Sequence, residues 1–341
     1  MLNIIFHVMF FGQKLANQSY CSYICHTRTR QASSQCLNRR VVFFMKFIKQ
    51  YASPAELLTI LQDRGLELCE TVNSEAILRS IGYYRLSGYL YPFLEQPKST
   101  HVFKPGSSLL AALRLYEFDR KLRMLLFDQI ERIEIAVRSA IVNITCAETH
   151  DVFWMTNSAY FAHSHKFEKT MSLIDKELQN SHEDFVSHFR HTYEEPYPPS
   201  WMLAEILPLG TLTRIYDNIA NNHIRKKIAQ NFGLSVPVFI SWMTVVTLTR
   251  NSCCHHARLW NRCLTLRTLV MTKPSRPWVS AHVQQGRIFF TLCIIKHLVD
   301  VAWPQNRFKQ ELITLLTNYP SVDIAAMGFP QDWLAEPLWG G

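Results

Sequence analysis

Glycine is scarce in this chain, with 11 in 341 residues. So few glycines argue against dinucleotide-binding folds built on glycine-rich turns, and against β-rich folds with many tight turns. Cysteine is thinly spread: nine residues, an odd number, do not make the dense framework of a small secreted disulfide protein. That usage fits a reducing compartment, and the cytoplasm is the expected location. No stretch approaches the ~18 consecutive apolar residues of a membrane span. The best run, Ile288 to Ile295, is followed by Lys296, His297 and Asp300 and reads as a buried helix, so no membrane partner is expected. Strand signals are nearly absent, and there is no internal repeat or low-complexity tract. A hydrophobic fraction of 48% with 12% aromatics excludes a disordered chain, because there is ample apolar surface to offset ordering entropy.

The formal charge is +9 at pH 7, from 36 Lys+Arg against 27 Asp+Glu. Such a balance points towards nucleic acid or an anionic surface, but it is unevenly placed. Residues 1–44 hold Lys14, Arg28, Arg30, Arg39 and Arg40 and no acid, so the remainder carries 31 basic against 27 acidic residues, a net +4. Leu2 to Phe11 resembles the core of a signal peptide, yet no basic residue precedes it and no clear cleavage site follows. Clean helix signals start after Met45. The expectation is that Met45 is the first residue of the folded protein and that residues 1–44 are an unstructured or non-native extension.

From Ser53 onward the punctuation is helical. Ser53-Pro54-Ala55-Glu56 combines an N-cap, a proline in the first turn and a capping-box glutamate. Asn73-Ser74 caps a second short helix, and Gly82 to Tyr89 reads as a further helix or turn-helix. Ser107 or Ser108 opens the longest periodic run, from Leu109 to about Thr145, as one helix or two broken near Phe118. Residues 166–190 read as an exposed helix pair. Val238 to Thr249 is apolar nearly all round and is expected at the centre of the core. Gly286–Trp303 and Gln305–Asn318 supply the last long helices. The expected fold class is all-α: a small helical subregion at 45–100, then a helical bundle domain at 101–341 with extra C-terminal helices.

The segment from Thr249 to Arg262 packs ionisable groups into a short span beside that apolar helix. On continued helical spacing, Asn251, His255, Arg258 and Arg262 form one stripe. Arg250 and His255 stand about 140° apart on a regular helix; they converge only if the helix ends or kinks nearby, or if two copies meet. Zinc binding by Cys253-Cys254-His255-His256 is disfavoured, because four adjacent residues radiate around a helix and cannot reach one tetrahedral ion. Two readings remain at this level. The cluster is a set of core or surface hydrogen-bonding groups, or it handles phosphates, since arginine binds phosphate oxygens in bidentate fashion and histidine moves protons near neutral pH.

Arg250-Asn251-x-x-x-His255 matches the R-N-x-x-x-H motif of HEPN ribonucleases. The run through Arg258-Leu259-Trp260-Asn261-Arg262 resembles the Abi family of bacterial abortive-infection proteins. Three further blocks carry the resemblance: Gly82 to Tyr89, Tyr116-Glu117-Phe118-Asp119-Arg120 running on to Glu131-Arg132-Ile133-Glu134, and Met327 to Trp333. The likeness spans about Met45 to Trp339. It implies an all-α HEPN-like bundle acting in phage defence as a metal-independent endoribonuclease, with RNA cut by its own 2′-OH. Arg250 and His255 would be the catalytic dyad and Asn251 a positioning residue. A homodimer with a composite site is implied, as is control by an antitoxin or a small RNA partner. No cofactor or metal is called for. The alternative is a non-catalytic RNA-binding or regulatory module, or a toxin–antitoxin component without nuclease activity.

Around the dyad, His256 is the auxiliary candidate, as the histidine of an R-x5-H reading. Arg258 and Arg262 are candidates for holding RNA phosphates or bracing a neighbouring helix. Glu134 and Arg138 stand four apart on the long helix, which gives an ordinary intrahelical pair worth about 0.3–0.5 kcal/mol. The other reading is that Glu134 orients Arg250 or Arg258. The start-site expectation is checked by N-terminal mass determination on the native protein: a chain starting at Met45 is expected, and one starting upstream contradicts it.

Overall fold

The computed structural model describes residues 50–68, 73–264, 268–280 and 283–340. The expectation for residues 1–44 lies outside the described residues. Among those described, the chain forms twelve α-helices and no sheet; extended pairing is limited to isolated bridges. It divides into two compact units between Glu117 and Phe118, further along than the sequence boundary at residue 100.

The first unit holds α1 (Pro54–Asp63), α2 (Ser74–Ile81), α3 (Tyr83–Leu90) and the opening turns of α4 (Leu109–Thr149). Ser53 caps α1 reciprocally with Glu56, and Asn73 caps α2 by accepting from the Ala76 N–H at 2.9 Å. Ser108 accepts from the Ala111 N–H at 3.2 Å, so it is the second of the two serines that opens α4. A bridge between Glu67 and Ser108 and the edge-on Tyr89–Tyr116 ring pair tie the start of α4 into this unit, which is why the division falls inside that helix. Tyr89 is buried, and Tyr84 is exposed.

The second unit contains the rest of α4, then α5 (Ser164–Asn180), α6 (Asp184–Thr192), α7 (Ser200–Ile206), α8 (Leu209–Asn218), α9 (Asn222–Asn231), α10 (Val236–Cys254), α11 (Ile288–Ala302) and α12 (Phe308–Asn318). α4 is continuous, with no break at Phe118. Its register explains this: Phe118, Leu122, Leu126, Ile130, Ile133, Val137 and Ile141 are all buried at helical spacing. α10 packs against α8, α9 and α11, and buries Phe239, Trp242, Met243 and Val246, so the apolar run does lie in the core.

α11 is buried along almost its whole length. One face meets an aromatic cluster of Phe289, Phe329, Trp333 and Trp339, which brings the Met327–Trp333 block onto the core. Gly328 at the turn has φ +87°, and a Cβ there would stand 2.4 Å from Arg287 Cβ, so only glycine fits. Among the described residues no single helix is long and apolar enough to cross a membrane; α9 and α10 pass that test only as a pair bent by 60°.

His297 of α11 is a buried titratable group of this core. Its Nε2 lies 2.9 Å from the Phe232 carbonyl. A carbonyl only accepts, so that nitrogen carries the proton. The ring meets Trp242 and Trp278 edge-on, at 5.2 and 5.8 Å. Burial holds the imidazole below its ordinary value of 6.5, against the opposing pull of the Phe232 carbonyl. A lowered histidine contributes stability above the unfolded value and loses it as pH falls through the folded one. The melting temperature is therefore expected to drop on acidification below about pH 6.5. His297→Gln, which keeps a donor to Phe232 and cannot titrate, should flatten that drop in a pH series of thermal melts.

Candidate functional site

α10 ends where the ionisable segment begins. The Ala257 N–H bonds the Ser252 carbonyl at 2.8 Å, and the His256 N–H bonds the Cys253 carbonyl at 3.1 Å. This pair of bonds is a Schellman termination, with His255 as C-cap and His256 in the left-handed conformation at φ +54°. Glycine usually takes that position, so no sequence signal marks the stop. The stripe of Asn251, His255, Arg258 and Arg262 expected from continued helical spacing is therefore not formed. Past Cys254 the chain is a loop, and the four side chains do not share a helical face.

The loop is held from α4. Asp119, fully buried, accepts from the Leu259 N–H at 3.1 Å and the Trp260 N–H at 2.6 Å, and it pairs with the buried Arg123 one turn along. Arg123 reaches the Ala257 carbonyl at 3.5 Å. Leu259 and Trp260 then bury their side chains. Further on, Asn261 takes a positive φ of 48° and accepts from Arg287 at 3.0 Å. Asp119 and Arg123 were not among the candidate site residues. The available signal was an acid at a core register of α4, in line with Leu115, Leu122 and Leu126.

Arg250 lies on a different side of α10. Its Nε stands 3.8 Å from Oε2 of Glu134, whose other oxygen accepts from Arg138 at 3.1 Å. Arg138 continues to Glu205 at 3.3 Å and to the Leu207 carbonyl at 3.3 Å. Both readings of Glu134 thus describe real contacts: it forms the intrahelical pair and also meets Arg250. Arg250 and Asn251 line a cleft of about 220 Å³ together with Arg214, Thr247, Thr211 and Gly210. The far wall is the start of α8, whose N-cap is Pro208 with no side-chain cap. The positive end of a helix dipole favours an anion, and two arginines add to that field.

His255 is exposed at the helix end, and His256 lines a separate groove of about 610 Å³ against the outer face of α4. Within one chain the Arg250 cleft and the His256 groove are distinct. Arg262 folds back to donate to Ser252 Oγ at 3.3 Å, which sets its charge against the negative end of α10. Arg258 is half-buried in the loop. Burial pushes the Cys253 thiol up to about 12; it stays protonated at neutral pH and packs as an apolar group rather than as a thiolate.

Asp119→Ala leaves Arg123 buried without its counter-ion and removes the acceptor of two backbone N–H groups. Breaking a buried pair in this way costs about 3–5 kcal/mol. Urea denaturation of this variant should show a loss of that size. A loss under about 1 kcal/mol, the range of an exposed pair, contradicts the role assigned to Asp119.

The sequence model of the family described as Abi-like protein matches residues 76–261, a span that holds α3, α4, Asp119, Glu134 and the whole of the Arg250–Asn261 segment. No curated protein and no solved structure shows significant similarity to the chain.

Proposed function

Because the chain belongs to the Abi-like protein family, which ties it to abortive infection and phage defence, we propose that it acts there as a metal-independent endoribonuclease. The observation that carries this reading is the Arg250 cleft: a guanidinium steadied by Glu134, with Arg214 and the uncapped start of α8 beside it. That combination suits a phosphate of the RNA backbone, which arginine grips by two parallel hydrogen bonds.

In the reaction, the RNA 2′-oxygen attacks the adjacent phosphorus and its proton passes to a base. The bond from phosphorus to the 5′-oxygen breaks, and that oxygen takes up a proton. The products are a 2′,3′-cyclic phosphate and a 5′-hydroxyl end. Arg250 stabilises the charge that builds on the non-bridging oxygens. His255, exposed at the end of α10, transfers one of the two protons. Asn251 lines the same cleft as Arg250 and positions the phosphate. Arg262, folded back onto Ser252, offsets the negative end of the α10 dipole, which would otherwise repel RNA, and Arg258 in the loop beyond it holds RNA phosphate.

Arg250 and His255 face different surroundings within one chain, so the working site is read as composite, with Arg250 of one copy acting beside His255 of another. The same separation favours the second reading, a module that binds RNA on this basic segment without cutting it.

The purified chain is expected to cleave RNA in the presence of chelator and to leave cyclic phosphate ends. Arg250→Ala and His255→Ala should each lower the rate, by roughly 10²–10⁴ for the proton-transfer group. Activity that is absent in chelator and restored by Mg²⁺ contradicts the metal-independent step; RNA binding without cleavage selects the second reading. His256→Gly separates the two histidines. Glycine relieves a left-handed residue worth about 1 kcal/mol, so this variant should melt no lower than wild type and still cleave; inactivity with full stability would transfer the proton role from His255 to His256.

A further inference from the structure

The reaction above leaves the groove of about 610 Å³ on the outer face of α4 unused. Its volume lies in the range of sites for small organic groups, about 300–1,000 Å³. Met124 and Phe127 line it and present apolar surface to solvent, at 60% and 43% exposure. Both stand on a continuous helix, so they form a platform of fixed shape. The opposite wall includes His256, next in sequence to His255.

Polar groups bound this platform unequally. Arg123 is spent on Asp119, and Arg120 lies against Met124 Sδ at 3.2 Å; with both engaged inside the chain, the groove suits a base better than a phosphate. Asp128 accepts from Gln129 Nε2 at 2.7 Å and stands 3.8 Å from Arg132 Nε. The Glu131 carboxylate also lines the groove, and among the described residues it has no ion pair or hydrogen bond. Phe127 and Glu131 stand four apart on one helix and are therefore neighbours on its surface. A flat ring laid on Phe127 has its edge beside that carboxylate.

We propose that this groove takes a guanine of single-stranded RNA, stacked on Phe127 and Met124, with its N1–H and 2-amino group donating to the two oxygens of Glu131. The proposal rests on the RNA reading above and names the base that this site selects. Stacking on an aromatic ring suits any base, so the choice among bases falls to the carboxylate. A carboxylate offers two acceptors and no donor. Guanine alone presents two adjacent donors on its pairing edge. Adenine and cytosine each set a ring-nitrogen acceptor beside their amino group, and uracil flanks its one N–H with two carbonyls, so each would point an acceptor at a carboxylate oxygen. Because His256 borders the groove, a guanine held there lies near the end of α10, and the cut is expected beside guanine.

The test is fluorescence anisotropy of the full chain with labelled uridine hexamers that carry one central guanine, adenine, cytosine or hypoxanthine. Every sugar is 2′-O-methylated, so no strand can be cut by its own 2′-oxygen. The guanine strand should bind roughly tenfold tighter or more than the adenine and cytosine strands. Hypoxanthine, which lacks the 2-amino group, should lose most of that advantage. Glu131→Gln keeps the size of the side chain and turns one acceptor into a donor; it should abolish the guanine preference. Phe127→Ala should weaken all four strands, by roughly tenfold, and Phe127→Trp should restore them. Both positions are exposed, and circular dichroism melts check that each variant folds. A wild type without guanine preference overturns the proposal, as does a preference that survives Glu131→Gln. Strand binding that none of these variants alters leaves the groove to an occupant other than RNA and overturns it too. Guanosine monophosphate binding as tightly as the strand makes the occupant a free nucleotide, with the same result. The readout is binding of an uncuttable strand, so the two readings fail separately. Guanine-selective binding by a chain that leaves natural RNA intact defeats the nuclease reading alone. A ribonuclease whose strand binding ignores Glu131 and Phe127 defeats this one alone.

Discussion

The carboxylate of Asp119 is removed from water, and everything downstream of α10 depends on how that removal is offset. A buried ion is costly unless its lone pairs are filled and its charge is met. Here Arg123 supplies the charge, and the backbone N–H groups of Leu259 and Trp260 supply hydrogen bonds. The arrangement is all-or-none, since losing one partner leaves another group buried and unsatisfied. It therefore fixes where the chain goes after the helix ends, and with it where His255, His256 and Arg258 stand.

α4 is the element that relates the parts of the site to one another. Asp119 and Glu134 both project from it, fifteen residues or about 22 Å apart along the axis. One holds the loop after α10, and the other meets Arg250 four residues before α10 ends. A continuous helix with an unbroken buried stripe is a rigid ruler, so the distance between the anchor of the loop after α10 and the partner of Arg250 is set by the turns of α4 between its two acids.

Electrostatics at the end of α10 run against a role with phosphates until the arginines are counted. A helix C-terminus carries partial negative charge. Arg262 folds back onto Ser252 in the last turn, and Arg123 approaches the Ala257 carbonyl. At the start of α8 the opposite holds: the dipole is positive and the N-cap is a proline that makes no side-chain cap. The anion-favouring half of the segment is thus the Arg250 cleft, and the exposed histidines border a surface that is apolar and of mixed charge.

Much of the architecture was legible from residue order alone. The capping box at Ser53, the cap at Asn73 and the apolar run of α10 are local signals, set by hydrogen bonds and periodicity within a few residues, and the helices lie where those signals put them. The unbroken course of α4 through Phe118 was ambiguous, because its apolar stripe is compatible with a break until the buried face is seen to be continuous. The end of α10 was hidden. A histidine takes the left-handed position usually given to glycine, and what steers the chain away is Asp119, more than 130 residues earlier in sequence. Glu134 had two readings by spacing, as a partner of Arg138 or of Arg250. It meets both because its two oxygens point to different helices, a fact of three-dimensional packing. The sequence by itself determined the helices, the family and the identity of the ionisable segment, since these rest on short-range patterns. Only the tertiary structure decided which of those groups share a cleft, because that depends on long-range burial of a single charge and on where one helix is made to stop.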